Sequence, residues 1–234
     1  METQAPIGYV YSVALSPVSE GSTPPYPEWT VASGFYGEIV VYRTVGLELY
    51  ATKATKKKRT KALEFSSDGR ILASTSTAGR IQVWSFPQPC NPGDCELELR
   101  LSLSHSGSWY FPIDFAPDST FESFKIVSGT DGGTIKLWTI DGLVETDVLS
   151  VDSGAVYALD WSPYGDMIVA AGSGEITVYD SSDLSVLFRN SEAHRGRVND
   201  VAFYVDPDDN NIQWIVSGGA DGDLKLWSIP APGP

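Results

Sequence analysis

The chain has 234 residues, enough for one sizeable core or one modest repeat array. With 42% hydrophobic and 20% charged residues it falls outside the range of disordered chains, and no run approaches the ~18 continuous apolar residues of a membrane span. A net charge of −14 works against non-specific association with nucleic acid or an anionic membrane.

Read in chain order, short segments with apolar residues at every second position, the period of a strand, recur in a fixed series. The first series runs SVALSP (12–17), VASGFYG (31–37), EIVVY (38–42) and GLELYAT (46–52), with a Pro- and Ser-containing insertion at 18–28. The second runs ALEFSS (62–67), ASTSTAG (73–79), RIQVW (80–84) and CELELRLSL (95–103). The third runs PIDFAP (112–117), VSGTDGG (127–133), TIKLW (134–138) and VETDVLS (144–150). ALDWSP (158–163), VAAGSG (169–174), EITVY (175–179) and LSVLFRN (184–190) make the fourth. The fifth has DVAFYV (200–205), VSGGADG (216–222) and DLKLW (223–227), with no fourth member. No segment shows helical periodicity.

The closing aromatics of the third members, Tyr42, Trp84, Trp138, Tyr179 and Trp227, stand 41 to 54 residues apart. A four-stranded propeller blade with its connections takes about 40–45 residues. The chain therefore resembles the WD-repeat family, and the resemblance spans nearly its whole length. It departs from that family in lacking any terminal Trp-Asp pair, Tyr179-Asp180 coming nearest, and in using Tyr for Trp twice. The expected fold is an all-β propeller of five four-stranded antiparallel blades in a single domain, residues 1–234. The blades are expected at about 9–53, 60–103, 110–150, 156–190 and 198–229, the last without an outer strand of its own. Seven blades would leave about 33 residues each, too few for four strands. Residues 1–8 are short, contain Pro6 and make a poor substitute for the missing strand. The sheets either close into a five-bladed ring or form an open arc, the favoured reading, with end blades covered by another subunit.

From inside to rim, the strands of a blade are called a, b, c and d. The resemblance implies a buried hydrogen-bond set linking a His in the d–a connection, a Ser in strand b, an Asp in the b–c turn and a Trp in strand c. The last blade supplies His194, Ser217, Asp221 and Trp227; the third offers His105, Ser128, Asp131 and Trp138. A buried imidazole needs partners on both nitrogens, so this structural role is preferred to metal binding or catalysis for both histidines.

Four further groups are candidates for function. Lys53, Lys56, Lys57, Lys58, Arg59 and Lys61 concentrate six cations in one d–a connection of an acidic chain, which suits an anionic partner, an import signal or simply a solvated loop. Trp109, Tyr110, Tyr157, Arg195 and Arg197 are expected on the same face, and aromatic and Arg side chains anchor interfaces. Glu64, Asp114 and Asp160 share one position in strand a; converging carboxylates run acid–base hydrolysis, but the expected role is solvated or in blade packing. Cys90 and Cys95 flank a tight turn and are expected reduced inside a cell; two Cys do not make a metal site.

No Gly-rich phosphate loop precedes a helix and no nucleophile has a base beside it, so neither enzyme activity, cofactor nor metal is expected. The opening residues carry neither a basic cluster nor an apolar run, so an intracellular protein, cytoplasmic or nuclear, is expected. The leading functional reading is a protein–protein interaction scaffold or adaptor within a multiprotein complex, its partners other protein subunits. The alternative is an RNA- or nucleic-acid-associated propeller using the 53–61 loop, and a carboxylate-based hydrolase is more remote.

Overall fold

A computed structural model describes residues 10–17, 29–34, 37–44, 46, 48–54, 59–85, 96–104, 112–142, 144–152, 154–206 and 209–230. Among them it contains strands, turns and no helix. The strands fall into five sheets, four of four strands and a last one of three, and chain order equals sheet order in each. The first sheet is β1 Val10–Leu15, β2 Trp29–Gly34, β3 Glu38–Arg43 and β4 Leu49–Ala54; the second is β5 Thr60–Phe65, β6 Ile71–Ser76, β7 Arg80–Ser85 and β8 Glu98–Ser104. The third is β9 Ile113–Phe115, β10 Ser123–Gly129, β11 Thr134–Asp141 and β12 Val144–Asp152; the fourth is β13 Ala158–Trp161, β14 Met167–Ala171, β15 Ile176–Asp180 and β16 Val186–Asn190. The fifth is β17 Val198–Asp206, β18 Asp209–Gly219 and β19 Leu224–Pro230. These are the strands and the short last sheet that the repeat spacing predicts.

The chain divides into two compact units. One comprises residues 1–109, 119–124 and 140–145; the other comprises 110–118, 125–139 and 146–234.

In the first unit the core lies between the first two sheets. Ala14, Ile39, Val41 and Tyr50 of the first pack with Leu63, Phe65, Leu72 and Trp84 of the second. Alternation explains the pairing, because Ile39 and Val41 point to one side of β3 and Leu63 and Phe65 to one side of β5. Turn geometry repeats as well. Ser66 donates to Asp68 at 2.7 Å and accepts the amide of Ile71 at 3.2 Å, closing the a–b hairpin. Asp68 also accepts the amide of Phe121 at 2.8 Å, tying the turn to residues 119–124.

In the second unit the fourth sheet is buried on both faces. Leu159, Trp161, Ile168 and Tyr179 join Val127, Ile135 and Leu137 on one side. Met167, Val169, Ile176 and Val178 join Val201, Ile215 and Ile229 on the other. The a–b turn of this sheet repeats the first unit's device: Ser162 donates to Asp166 and accepts the amide of Met167, and Asp166 takes the buried amide of Gln213 from the fifth sheet at 2.9 Å. Each apolar side chain fully buried in this way contributes about 1.5–3 kcal/mol. Stacking therefore supplies most of the stability that no single sheet of this size would have alone.

Candidate functional site

The connection from β16 to β17 holds a fully connected polar cluster. His194 Nδ1 lies 2.9 Å from Asp221 Oδ1 and Nε2 lies 2.8 Å from Ser217 Oγ, while Trp227 Nε1 donates to the same oxygen at 2.9 Å. One proton arrangement satisfies every partner. The indole donates to Ser217, the hydroxyl donates to Nε2, and Nδ1–H donates to the carboxylate. The amides of Arg195 and Asp223 complete the coordination of Asp221. Together with His194 they hold its carboxyl well below the usual carboxylate range, the imidazole contact being the largest cause. Gly219 makes room for this arrangement, since a Cβ there would overlap His194 Nδ1 and Asp221 Oδ1.

The same connection is bound to the preceding sheet by backbone. His194 N donates to Gly174 O at 3.1 Å, and Val198 N donates to Gly172 O at 2.9 Å. His194 thus works as a structural fastener between two sheets, with both ring nitrogens occupied and its side chain buried. Among the described residues no group of three or more His, Cys, Asp or Glu is placed to hold a metal.

Among the described residues, other sheets carry this cluster incompletely. In the second, Trp84 Nε1 donates to Ser74 Oγ at 2.8 Å. In the third, Ser128 and Trp138 are buried and Asp131 is half-buried, but the Ser128 hydroxyl has no partner among the described residues and His105 lies outside them. In the fourth, Ala170 stands at the Ser217 position and Tyr179 at the Trp227 position. The phenol of Tyr179 is buried without a hydrogen-bond partner among the described residues. Gly154, Ala155, Ala170, Gly172, Glu175 and Thr177 line a pocket of about 100 Å³.

The acidic residues of strand a bind backbone. Asp114 Oδ2 accepts the amide of Trp161 at 2.7 Å, and Asp160 Oδ2 accepts the amide of Phe203 at 2.6 Å. Each carboxylate therefore reaches from the innermost strand of one sheet to the innermost strand of the next. That strand has an unpaired edge whose amides need an acceptor. In the first unit Ser12 Oγ does the same for the amide of Leu63 at 3.1 Å. Asp160 also hydrogen-bonds Asp114; burial, with Asp200's charge adding to it, raises its pKa against the lowering effect of these bonds. Glu64 is half-buried and belongs to the first unit.

The cations and aromatics of the other candidate group form pairs. The Arg197 guanidinium sits 4.3 Å from the ring centroid of Tyr157, and the Lys61 ammonium sits 4.1 Å from that of Tyr11. Both pairs join the start of one innermost strand to the approach into the next sheet. Arg195, two residues before Arg197 in the chain, is exposed. Lys53 forms an ion pair with Glu96 at 3.2 Å, and Arg59 is half-buried with its carbonyl accepting the amide of Thr77. Lys56, Lys57, Lys58, Trp109, Tyr110, Cys90 and Cys95 lie outside the described residues.

The family model for the WD domain, G-beta repeat, matches residues 53–85, 113–139, 145–180 and 185–228, more than half of the chain. The chain belongs to the WD-repeat family. Most of the first sheet precedes the first of the four matched stretches. The meiotic recombination protein rec14 of Schizosaccharomyces pombe is 34% identical over 116 residues, 49% of this chain and 34% of that protein. Protein SUPPRESSOR OF PHYA-105 1 of Arabidopsis thaliana is 24% identical over 226 residues, 92% of this chain and 20% of its own length. The F-box-like/WD repeat-containing protein TBL1X of Mus musculus is 26% identical over 114 residues, 46% of this chain and 21% of that protein. The chain thus spans about a third or less of these relatives' lengths.

WD-repeat propellers serve in general as interaction scaffolds and are generally not catalysts. Within this WD-repeat chain, the sheet-to-sheet ties of Asp114 and Asp160 escape sequence reasoning, because their partners are backbone amides that carry no residue signature. The one available signal was an acid recurring at the same place in consecutive repeats. No helix among the described residues is long and apolar enough to cross a membrane.

Proposed function

We propose that this WD-repeat protein is a non-catalytic scaffold or adaptor subunit of a multiprotein complex. In this reading it binds a protein partner through Tyr157, Arg195 and Arg197. The observation that carries it is the stacking of Arg197 on Tyr157, with Arg195 exposed two residues earlier in the chain. A cation held over a ring keeps a flat, partly apolar and positively charged patch in place, and such groups anchor interfaces. The residues that would otherwise suggest chemistry are used internally: His194 holds Ser217 and Asp221, and Asp114 and Asp160 hold amides of the next sheet. A patch of two arginines and a tyrosine suits an acidic protein segment.

The test is affinity purification with mass spectrometry, comparing wild type with Tyr157→Ala/Arg195→Ala/Arg197→Ala. Loss of one coherent set of co-purifying subunits is expected; an unchanged set would refute the patch. The nucleic-acid reading rests on the 53–61 run, where Lys53 is paired with Glu96 and Lys61 stacks on Tyr11. A steep fall of partner binding with ionic strength, unaffected by the triple substitution, would favour it instead.

A further inference from the structure

One position sets the fourth sheet apart from the third and the fifth. Strand c reads TIKLW in the third, DLKLW in the fifth and EITVY in the fourth, so Thr177 stands where the others have Lys136 and Lys225. Backbone register gives the same equivalence, Thr177 pairing with Ala170 as Lys225 pairs with Ser217. In the fifth sheet Lys225 is half-buried, and its ammonium donates at 2.6 Å to Ala193 O in the connection that leads into that sheet. Thr177 has no such reach.

Thr177 lines the pocket of about 100 Å³ together with Gly154, Ala155, Ala170 and Gly172, whose small side chains make apolar walls. Ser173 and Glu175 line it as well and supply its polar groups. Only one oxygen of Glu175 is used internally: Thr177 Oγ1 donates to Oε1 at 3.1 Å, and Arg189 lies 3.3 Å from the same atom. Among the described residues Glu175 Oε2 and the Ser173 hydroxyl have no partner. Apolar walls leading to a free carboxylate oxygen and a hydroxyl complement an unbranched alkyl stem that ends in an ammonium.

The geometry points to this pocket as a binding site for a lysine side chain of a protein partner. The stem lies against the Gly and Ala walls, and the ammonium donates to Glu175 Oε2, so that the carboxylate bridges it and Arg189. The partner thus supplies from outside the residue that the third and fifth sheets carry in strand c. The rim of the pocket is tied to the docking residues by backbone: Ala171 O accepts the amide of Tyr157 at 2.8 Å, and Ser173 forms an antiparallel bridge with Arg197. As part of a partner's contact the site rests on the scaffold reading. Its test uses a small probe and no partner, so the two fail separately.

Amide NMR shifts of the whole chain, titrated with Nα-acetyl-lysine amide, test the inference. Saturable shifts at Gly154, Gly172 and Ser173 are expected, with a Kd on the order of 1 mM for so small a ligand. The norleucine analogue has the stem without the ammonium and is expected to bind at least about tenfold more weakly. The lysine probe should lose about as much on Glu175→Gln, which keeps an acceptor for Thr177 and Arg189. Thr177→Lys puts the chain's own lysine into the pocket and is expected to leave the other resonances in place while abolishing these shifts. No saturable shift in wild type overturns the inference. So does norleucine binding as tightly as lysine, a Glu175→Gln chain that binds like wild type, or a folded Thr177→Lys chain that still binds. Cadaverine binding more tightly than the capped lysine would make a free amine the ligand and would also overturn it.

Discussion

The fourth and fifth sheets are matched by the same family model and share one strand order, yet they are held by different means. The fifth has the complete His194–Ser217–Trp227–Asp221 cluster and one bare apolar face. The fourth has Ala170, Tyr179 with an unpartnered phenol, and a small pocket where the cluster would sit, but both of its faces are covered. Neither device is required in every sheet. Apolar stacking specifies the blade, and the polar cluster fixes how the connection between sheets is seated. A repeat that has lost the cluster keeps its shape as long as its neighbours remain.

Substitutions in register across the two sheets would break or sharpen this contrast. Ile176→Ala is expected to cost about 2–5 kcal/mol, because its methyl groups are lost between two packed sheets. Leu226→Ala, at the equivalent strand position, should change stability by less than about 0.5 kcal/mol in dilute solution. Equal losses in urea denaturation would refute the claim that stacking decides. Gly219→Ala forces the new methyl into His194 and Asp221 and is expected to cost about 1–3 kcal/mol, while Gly218→Ala, with open space around it, serves as control. Ser217→Ala strands both the imidazole Nε2 and the Trp227 indole, at about 1–3 kcal/mol. Tyr179→Phe removes a hydroxyl that bonds nothing among the described residues and should be neutral or stabilising by up to about 1 kcal/mol. A clear loss in Tyr179→Phe would mean that the fourth sheet has a polar fastening of its own.

The strands were legible because alternation and turn chemistry are local. EITVY and DLKLW announce strand c wherever they occur. Contacts between side chains of fixed type at fixed repeat spacing, such as His194 with Asp221, leave a trace in sequence. Contacts from a side chain to a distant amide do not. Asp114 was readable as an acid in strand a, but nothing in the residues near Trp161 marks that amide as its partner. Gly219 was readable as a turn residue, whereas its close approach to an imidazole from another segment was not. The exposure of Leu224 and Leu226 was equally hidden, since LKL alternates just as the buried IKL of β11 does.

The smallest expected effects separate the two kinds of carboxylate by the sign of their pH dependence. Asp221 has its pKa lowered in the folded state by His194 and backbone amides. The unfolded chain therefore binds more protons below about pH 4, and the stability Asp221 supplies is full above that value and lost as pH falls further. Asp160 has its pKa raised by burial. There the folded chain holds the extra proton, so its contribution is full below about pH 4 and is lost as pH rises through the folded value. Asp160→Asn keeps an acceptor for the amide of Phe203 and a donor for Asp114 without carrying a charge. It is expected to leave stability at pH 7 unchanged or slightly higher and to remove a downward slope just above pH 4. Asp221→Asn should lower stability at pH 7 and remove an upward slope below pH 4. Denaturation midpoints measured from pH 2.5 to 7 decide between them: slopes of the same sign for both carboxylates would show that Asp160 is held by its amide more strongly than burial opposes it.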